Sequence, residues 1–219
     1  MRYTLSALSI AAITAAASAQ TWNFDAPVFT FGESTPLLDR AANIPGSTPG
    51  MTASFDSLFG ALAISDSADF QPNSLMQGQY LFAPGDGVNG PLALLTITFS
   101  QPVTSASFDF AVNGFEPGWN LILFADPDFG AVDEVPVYSL YAAGEVDTTG
   151  FGAWGGHVDF TSATPFTTIV MTAIFGDPTV GTPPQATQFA IDNLTVTPTP
   201  GAAAAFGLAG AASLRRRRR

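Results

Sequence analysis

The feature that most limits how this chain can fold is the way apolar β-forming residues come in short runs between turn residues. With 21 Gly and 17 Pro spread along the chain, few segments are long enough for a helix, and short punctuated runs are the pattern of an all-β protein. The expected strands are Leu92–Ser100, Val103–Val112, Trp119–Ala125, Val135–Ala143, Phe166–Phe175 and Thr187–Thr197, with shorter ones near Trp22–Phe24, Met51–Ile64 and His157–Phe160. Leu95, Ile97 and Phe99 alternate on one face, and Ala106, Phe108, Phe110 and Val112 do so further on. Such alternation buries one face of each strand, and Gln101-Pro102 between them reads as a turn, since proline cannot donate to a ladder. In Thr187–Thr197 the alternation Phe189, Ile191 slips by one to Leu194, Val196, which predicts a β-bulge at Asp192-Asn193. Residues 32–50 read as a long irregular loop. No repeat of 20–50 residues is visible, which argues against a propeller or solenoid. The expectation is all-β, a single β-sandwich.

The two ends read differently from the body. Arg2, the apolar stretch Leu5 to Ala17 and the small residues Ala17-Ser18-Ala19 have the order of a secretory signal, with cleavage expected after Ala19. At the other end Pro198-Thr199-Pro200-Gly201 precede an apolar stretch, Ala202 to Leu214, and then Arg215, Arg216, Arg217, Arg218 and Arg219. This arrangement resembles the PEP-CTERM sorting signal, with Thr199 where that family has its central Glu. The resemblance implies an exosortase-like processing enzyme and a bacterium that makes exopolysaccharide. The apolar stretch, read as a short helix, would enter the membrane while the arginines stay cytoplasmic. It is shorter than the roughly 20 residues of a full span, which suits a transient inner-membrane anchor. The organisation expected is therefore 1–19 signal peptide, 20–197 β-sandwich and 198–219 sorting tail.

Between these segments only Arg40 is basic against 18 acidic residues, a charge of about −17 for the body. Such a body repels nucleic acid and anionic lipid and attracts divalent cations. It contains no cysteine, which removes disulfides and thiolate metal sites. Disorder is excluded by 47% hydrophobic residues including 19 Phe.

The phrases Ile97-Thr98-Phe99-Ser100-Gln101-Pro102-Val103, Ser107-Phe108-Asp109-Phe110 and Phe189-Ala190-Ile191-Asp192-Asn193-Leu194 resemble those of bacterial surface jelly rolls related to carbohydrate-binding modules. The resemblance implies a jelly-roll-like sandwich and a structural calcium ion between the first and last strands. Asp192 with Asp25 is then the expected calcium pair, backbone carbonyls and water completing six to eight oxygens. A second acidic group, Asp126, Asp128, Asp133 and Glu134, lacks the EF-hand ligand ladder, and a solvated acidic loop is its other reading. Trp119 and Trp154, in glycine-containing segments, are candidate glycan-stacking rings, or core plugs at sandwich corners.

Catalysis has few of its usual parts. His157 is the single histidine and no Gly-x-Ser-x-Gly elbow occurs. The alternative is a polysaccharide-acting glycoside hydrolase using two of Glu33, Glu116, Glu134 and Glu145. The reading reached is a non-enzymatic, exported protein of the cell surface or extracellular matrix, with extracellular polysaccharide as the expected partner.

Overall fold

The structure, a computed structural model, describes residues 18–25, 36–37, 40–47, 50–58, 62–68, 71–84, 93–113, 119–126, 138–143, 152–175 and 185–199. The signal segment to residue 17, the tail from residue 200, Asp128, Asp133 and the four candidate glutamates lie outside them. The described residues form twelve strands: β1 Gln20–Trp22, β2 Pro36–Leu37, β3 Arg40–Pro45, β4 Thr52–Ser57, β5 Leu62–Asp66, β6 Gln79–Ala83, β7 Leu95–Val112, β8 Trp119–Asp126, β9 Tyr138–Ala143, β10 Gly155–Phe175, β11 Gln185–Thr187 and β12 Phe189–Pro198. Every pairing is antiparallel, and no helix occurs among the described residues. The all-β expectation holds.

Two long strands build the sandwich. The first part of β7 pairs with β4 from Leu95↔Ser57 to Phe99↔Ala53, whereas its second part pairs with β12 from Val103↔Pro198 to Val112↔Phe189. Strand β10 follows it, pairing residues 155–161 with the second part of β7 and 168–171 with the first. One layer is therefore β2-β5-β6-β12 with the second part of β7 and the first part of β10, and β1 beside β12. The other is β3-β4 with the first part of β7, the second part of β10, and β8-β9, with β11 continuing along β10. Strands that pass from one sheet to the other do so at bends and bulges, and the β7–β10 register shifts on either side of Phe166. Phe160 and Phe166 stack across that bend, centroids 5.4 Å apart.

This corrects the turn expected at Gln101-Pro102. The chain runs straight on as strand, because each half of β7 finds its own partners, β4 for the first and β12 for the second. Pro102, exposed at the crossing, has no N–H to leave unpaired. The predicted strands His157–Phe160 and Phe166–Phe175 are likewise one strand, β10. A second correction concerns residues 32–50: β3 forms there as an edge strand on β4, Arg40↔Asp56 to Pro45↔Thr52, and proline is tolerated at such an edge.

The core joins both layers: Leu95, Ile97, Phe99, Leu121, Leu123, Ile169 and Met171 meet Trp22, Leu81, Phe108, Phe110, Val158, Phe189 and Ile191. Trp22 and Phe99 touch between the layers at 5.9 Å. Each fully buried phenylalanine contributes about 2–3 kcal/mol. The bulge is where the sequence put it. The β12–β7 register shifts between Asp192 and Thr195, and Asn193 has φ 54°, a left-handed conformation that asparagine accepts more readily than most residues.

Candidate functional site

On the first layer, the strand period of two that sends Phe108, Phe110, Leu81 and Ile191 into the core sends another set outward. The register lines these up in two rows. One is Ala63, Phe82, Ala190, Ala111 and Gly155, across β5, β6, β12, β7 and β10. In the other, Ser65 lies beside Tyr80, and Asp192, Asp109 and His157 lie side by side. The first row is small apart from Phe82, leaving room for the segment 71–78 to lie on the sheet. Leu75 and Met76 pack there with Tyr80, Phe82, Ala111 and Ala190 in a second apolar cluster.

The segment is pinned through backbone and amide groups. Ala153 N donates to Pro72 O at 2.8 Å, Asn73 Nδ2 to Ala153 O at 3.3 Å, and Leu75 N to Asn73 Oδ1 at 3.1 Å. Asn73 is fully buried, which is tolerable because these bonds satisfy it. A methyl on Gly155 would run into Asn73 Nδ2 and Phe110 O, so glycine is needed for this close approach.

Beside the covered patch opens a cavity of about 310 Å³ lined by Tyr80, Phe82, Ser65, Asn113, Gln188, Pro72 and Ala153 among others. It lies at the small end of the usual range for ligand sites. Aromatic and alanine surface lines it, with amides as polar groups: Asn113 Nδ2 donates to Gln188 Oε1 at 3.1 Å. Burial pushes the Tyr80 phenol up to about 12 against the lowering effect of its hydrogen bond to Ser65, with Asp66 adding to the rise. It stays a neutral hydroxyl. The described lining residues carry no carboxylate and no imidazole and offer apolar contact and neutral hydrogen bonds.

The second row is charged. Asp192 is 1% exposed, and its carboxyl is pushed up to about 6, chiefly by burial. The N–H groups of Asn193 and Gln77, at 2.7 and 3.4 Å, pull the other way, while the charges of Asp25 and Asp109 raise it further. Asp109 accepts from Asn193 Nδ2 at 3.0 Å and lies 2.7 Å from His157 Nδ1. Asp25 Oδ1 accepts from Gln79 N at 2.6 Å. The fold thus brings Asp25, just after the first strand, and Asp192, on the last, within electrostatic reach of each other. Among the described residues no group of three or more His, Asp or Glu is placed to hold a metal ion, so a calcium ion there would draw most of its oxygens from carbonyls and water.

Trp154 is half-buried, its carbonyl accepting from Val112 N at 2.7 Å. Its neighbour Ala153 lines the cavity and Trp154 does not. Trp119 and Asp126 are placed as the ends of β8, on the backbone only, opposite Phe175 and Thr168. His157 is an exposed partner of Asp109. Sequence reasoning missed β6, and with it Tyr80 and Phe82; the run Gln79-Tyr80-Leu81-Phe82-Ala83 between Gly78 and Pro84 was the available signal.

No family model matches the chain, and no curated protein matches it. Among solved structures it is similar to the K2 cleaved adhesin domain of Lys-gingipain, at 14% identity and a TM-score of 0.46, over 82% of this chain and 99% of that one. It is also similar to TmCBM27, a carbohydrate-binding module studied for specific mannan recognition, at 15% identity and TM-score 0.37, covering 82% and 95%. A third is a mutant form of the family 29 carbohydrate-binding module CBM29-2, at 15% and 0.34, covering 74% and 90%. Likenesses at these identities and scores assign no family.

Proposed function

We propose that this is an exported, non-catalytic protein of the bacterial cell surface or matrix whose sandwich binds extracellular polysaccharide. In this reading an exosortase-like enzyme processes its tail. The observation that carries the binding is the cavity over Tyr80 and Phe82. Sugar rings present C–H faces to aromatic planes and hydroxyls to amides, and this lining supplies both, Phe82 as the ring and Asn113 and Gln188 as the amides. The described lining residues are uncharged, and in a body this acidic that favours a neutral glycan over an anionic one. The charge and the absence of cysteine agree with an exported protein that meets no nucleic acid. Calcium held by Asp25 and Asp192 is the accompanying proposal for how the two ends of the sandwich are tied.

The test is a glycan array on the full chain, followed by calorimetry on the best neutral oligosaccharide with wild type and Phe82→Ala. Binding weakened at least about tenfold by the substitution is expected, with no release of reducing ends. No bound glycan on the array, or a bound glycan indifferent to Phe82, would refute the site. Reducing ends released in proportion to protein would restore the hydrolase alternative.

A further inference from the structure

The first strand begins directly after the small residues that end the signal segment. Gln20 opens β1 opposite Val196, and it is 4% exposed although Ser18 and Ala19 before it are exposed. Its side chain lies beside Trp22 and the turn at Gly46: a methyl on Gly46 would come within 2.9 Å of Gln20 Oε1 and 3.1 Å of Trp22 Cζ2. Gln20 Nε2 turns back along its own chain and donates to Ser18 O at 3.3 Å. The backbone is held as well. Thr21 N donates to Ser47 Oγ at 3.0 Å and Ser47 N to Thr21 O at 3.1 Å, so the alternation of an antiparallel pair turns the N–H of Gln20 toward β12.

A cut after Ala19 changes what this position has to hold. Ser18 O is removed as an acceptor, and the Gln20 nitrogen becomes a primary amine, largely charged at neutral pH, at a strand end flanked by Gly46, Trp22 and β12. A charge placed there costs free energy that a neutral N–H does not. The side chain itself offers the way out, because the amine and the carboxamide of one glutamine close a five-membered ring, and groups held together in this way react far faster than separate molecules. We propose that the mature chain begins with a pyroglutamyl residue formed from Gln20, a neutral lactam that seals the start of β1 against Trp22 and Gly46. The α-nitrogen attacks Cδ, an N–Cδ bond forms and the Cδ–Nε2 bond breaks. Nε2 takes the proton that the α-nitrogen gives up and leaves as ammonia, so no co-reactant is required. The ring keeps one N–H to face β12 and discards the amide nitrogen whose acceptor went with the signal segment. The inference rests on the exported reading, with the cut after Ala19.

The experiment is mass spectrometry of the N-terminal peptide of the protein recovered from a bacterium exporting the full chain, labelled with an amine reagent before digestion, with Gln20→Met beside wild type. The wild-type peptide is expected to start at residue 20, to be lighter than its sequence by one ammonia and to carry no label. Gln20→Met, which keeps the length of the side chain but cannot close a ring, is expected to take the label and to melt at least about 2 °C lower. A wild-type chain that starts at Gln20 with a labelled amine would overturn the lactam while leaving the exported reading intact. A chain that still starts at Met1 would overturn the exported reading and the lactam with it, and a start at any other residue would overturn the lactam alone. An unlabelled wild type melting together with labelled Gln20→Met would show that the ring forms without sealing the strand, which would overturn the structural role.

Discussion

Replacing Asp192 by asparagine removes a titratable group from a nearly solvent-free position while keeping its shape. The carboxyl moves from the ordinary 3.8 to about 6, so the folded chain holds that proton more tightly than the unfolded chain does. Stability is then fully present below about pH 4 and is lost as the pH rises through about 6. Two units at 1.36 kcal/mol each amount to about 3 kcal/mol lost once the group is ionised. The side-chain amide of Asp192→Asn keeps an oxygen to accept from Asn193 N but turns its NH₂ toward Gln77 N, where the native bond is already long at 3.4 Å, at a cost of about 1 kcal/mol. The substitution should therefore destabilise slightly at pH 4 and stabilise by about 2 kcal/mol at pH 8. The difference between the two stabilities changes by about 3 kcal/mol across that window, roughly 6–12 °C in Tm for a domain of this size. The assay is thermal unfolding from pH 4 to 8 with a chelator present, where the common effects of other titrating groups largely cancel in the comparison. Parallel curves for the two proteins would refute the burial argument. Repeating the wild-type series in excess calcium tests the proposed ion: bound between Asp25 and Asp192, it would hold the carboxyl ionised and abolish the loss above pH 6. A ligand at 100 times its Kd adds about 2.7 kcal/mol, and no calcium-dependent shift would sink the calcium proposal.

Two further outcomes are expected. Gly155→Ala places a methyl against Asn73 and the Phe110 carbonyl, and should cost about 1–3 kcal/mol in urea unfolding while weakening glycan binding by moving Pro72 and Ala153. An unchanged urea midpoint would show that the segment 71–78 yields freely. At the bulge, Asn193→Val should cost about 1–2 kcal/mol because a branched residue is forced to φ 54°, whereas Asn193→Gly should lose only the amide bond to Asp109. Equal losses would place the energy in that bond and not in the backbone.

The local pattern of the sequence determined which residues face the core. Leu95, Ile97 and Phe99, then Ala106, Phe108, Phe110 and Val112, point inward as their alternation requires, and the slip between Ile191 and Leu194 located the bulge without any partner in view. Pairing is a different matter, because hydrogen bonds between strands join residues far apart in sequence. Whether Gln101-Pro102 turned the chain back or let it run on depended on the partners offered by β4, β10 and β12, which no local window contains. The same holds for the sites. Asp192 and Asp25 stood out as carboxylates near the two ends of the body, but the burial that raises Asp192 comes with segment 71–78, over a hundred residues away in sequence. Tyr80 and Phe82 drew no attention in the sequence because a five-residue run with apolar side chains on both faces shows no alternation to read. Their outward face became a cavity only when Ala111 and Ala190 left space beside it, a condition that tertiary packing alone sets.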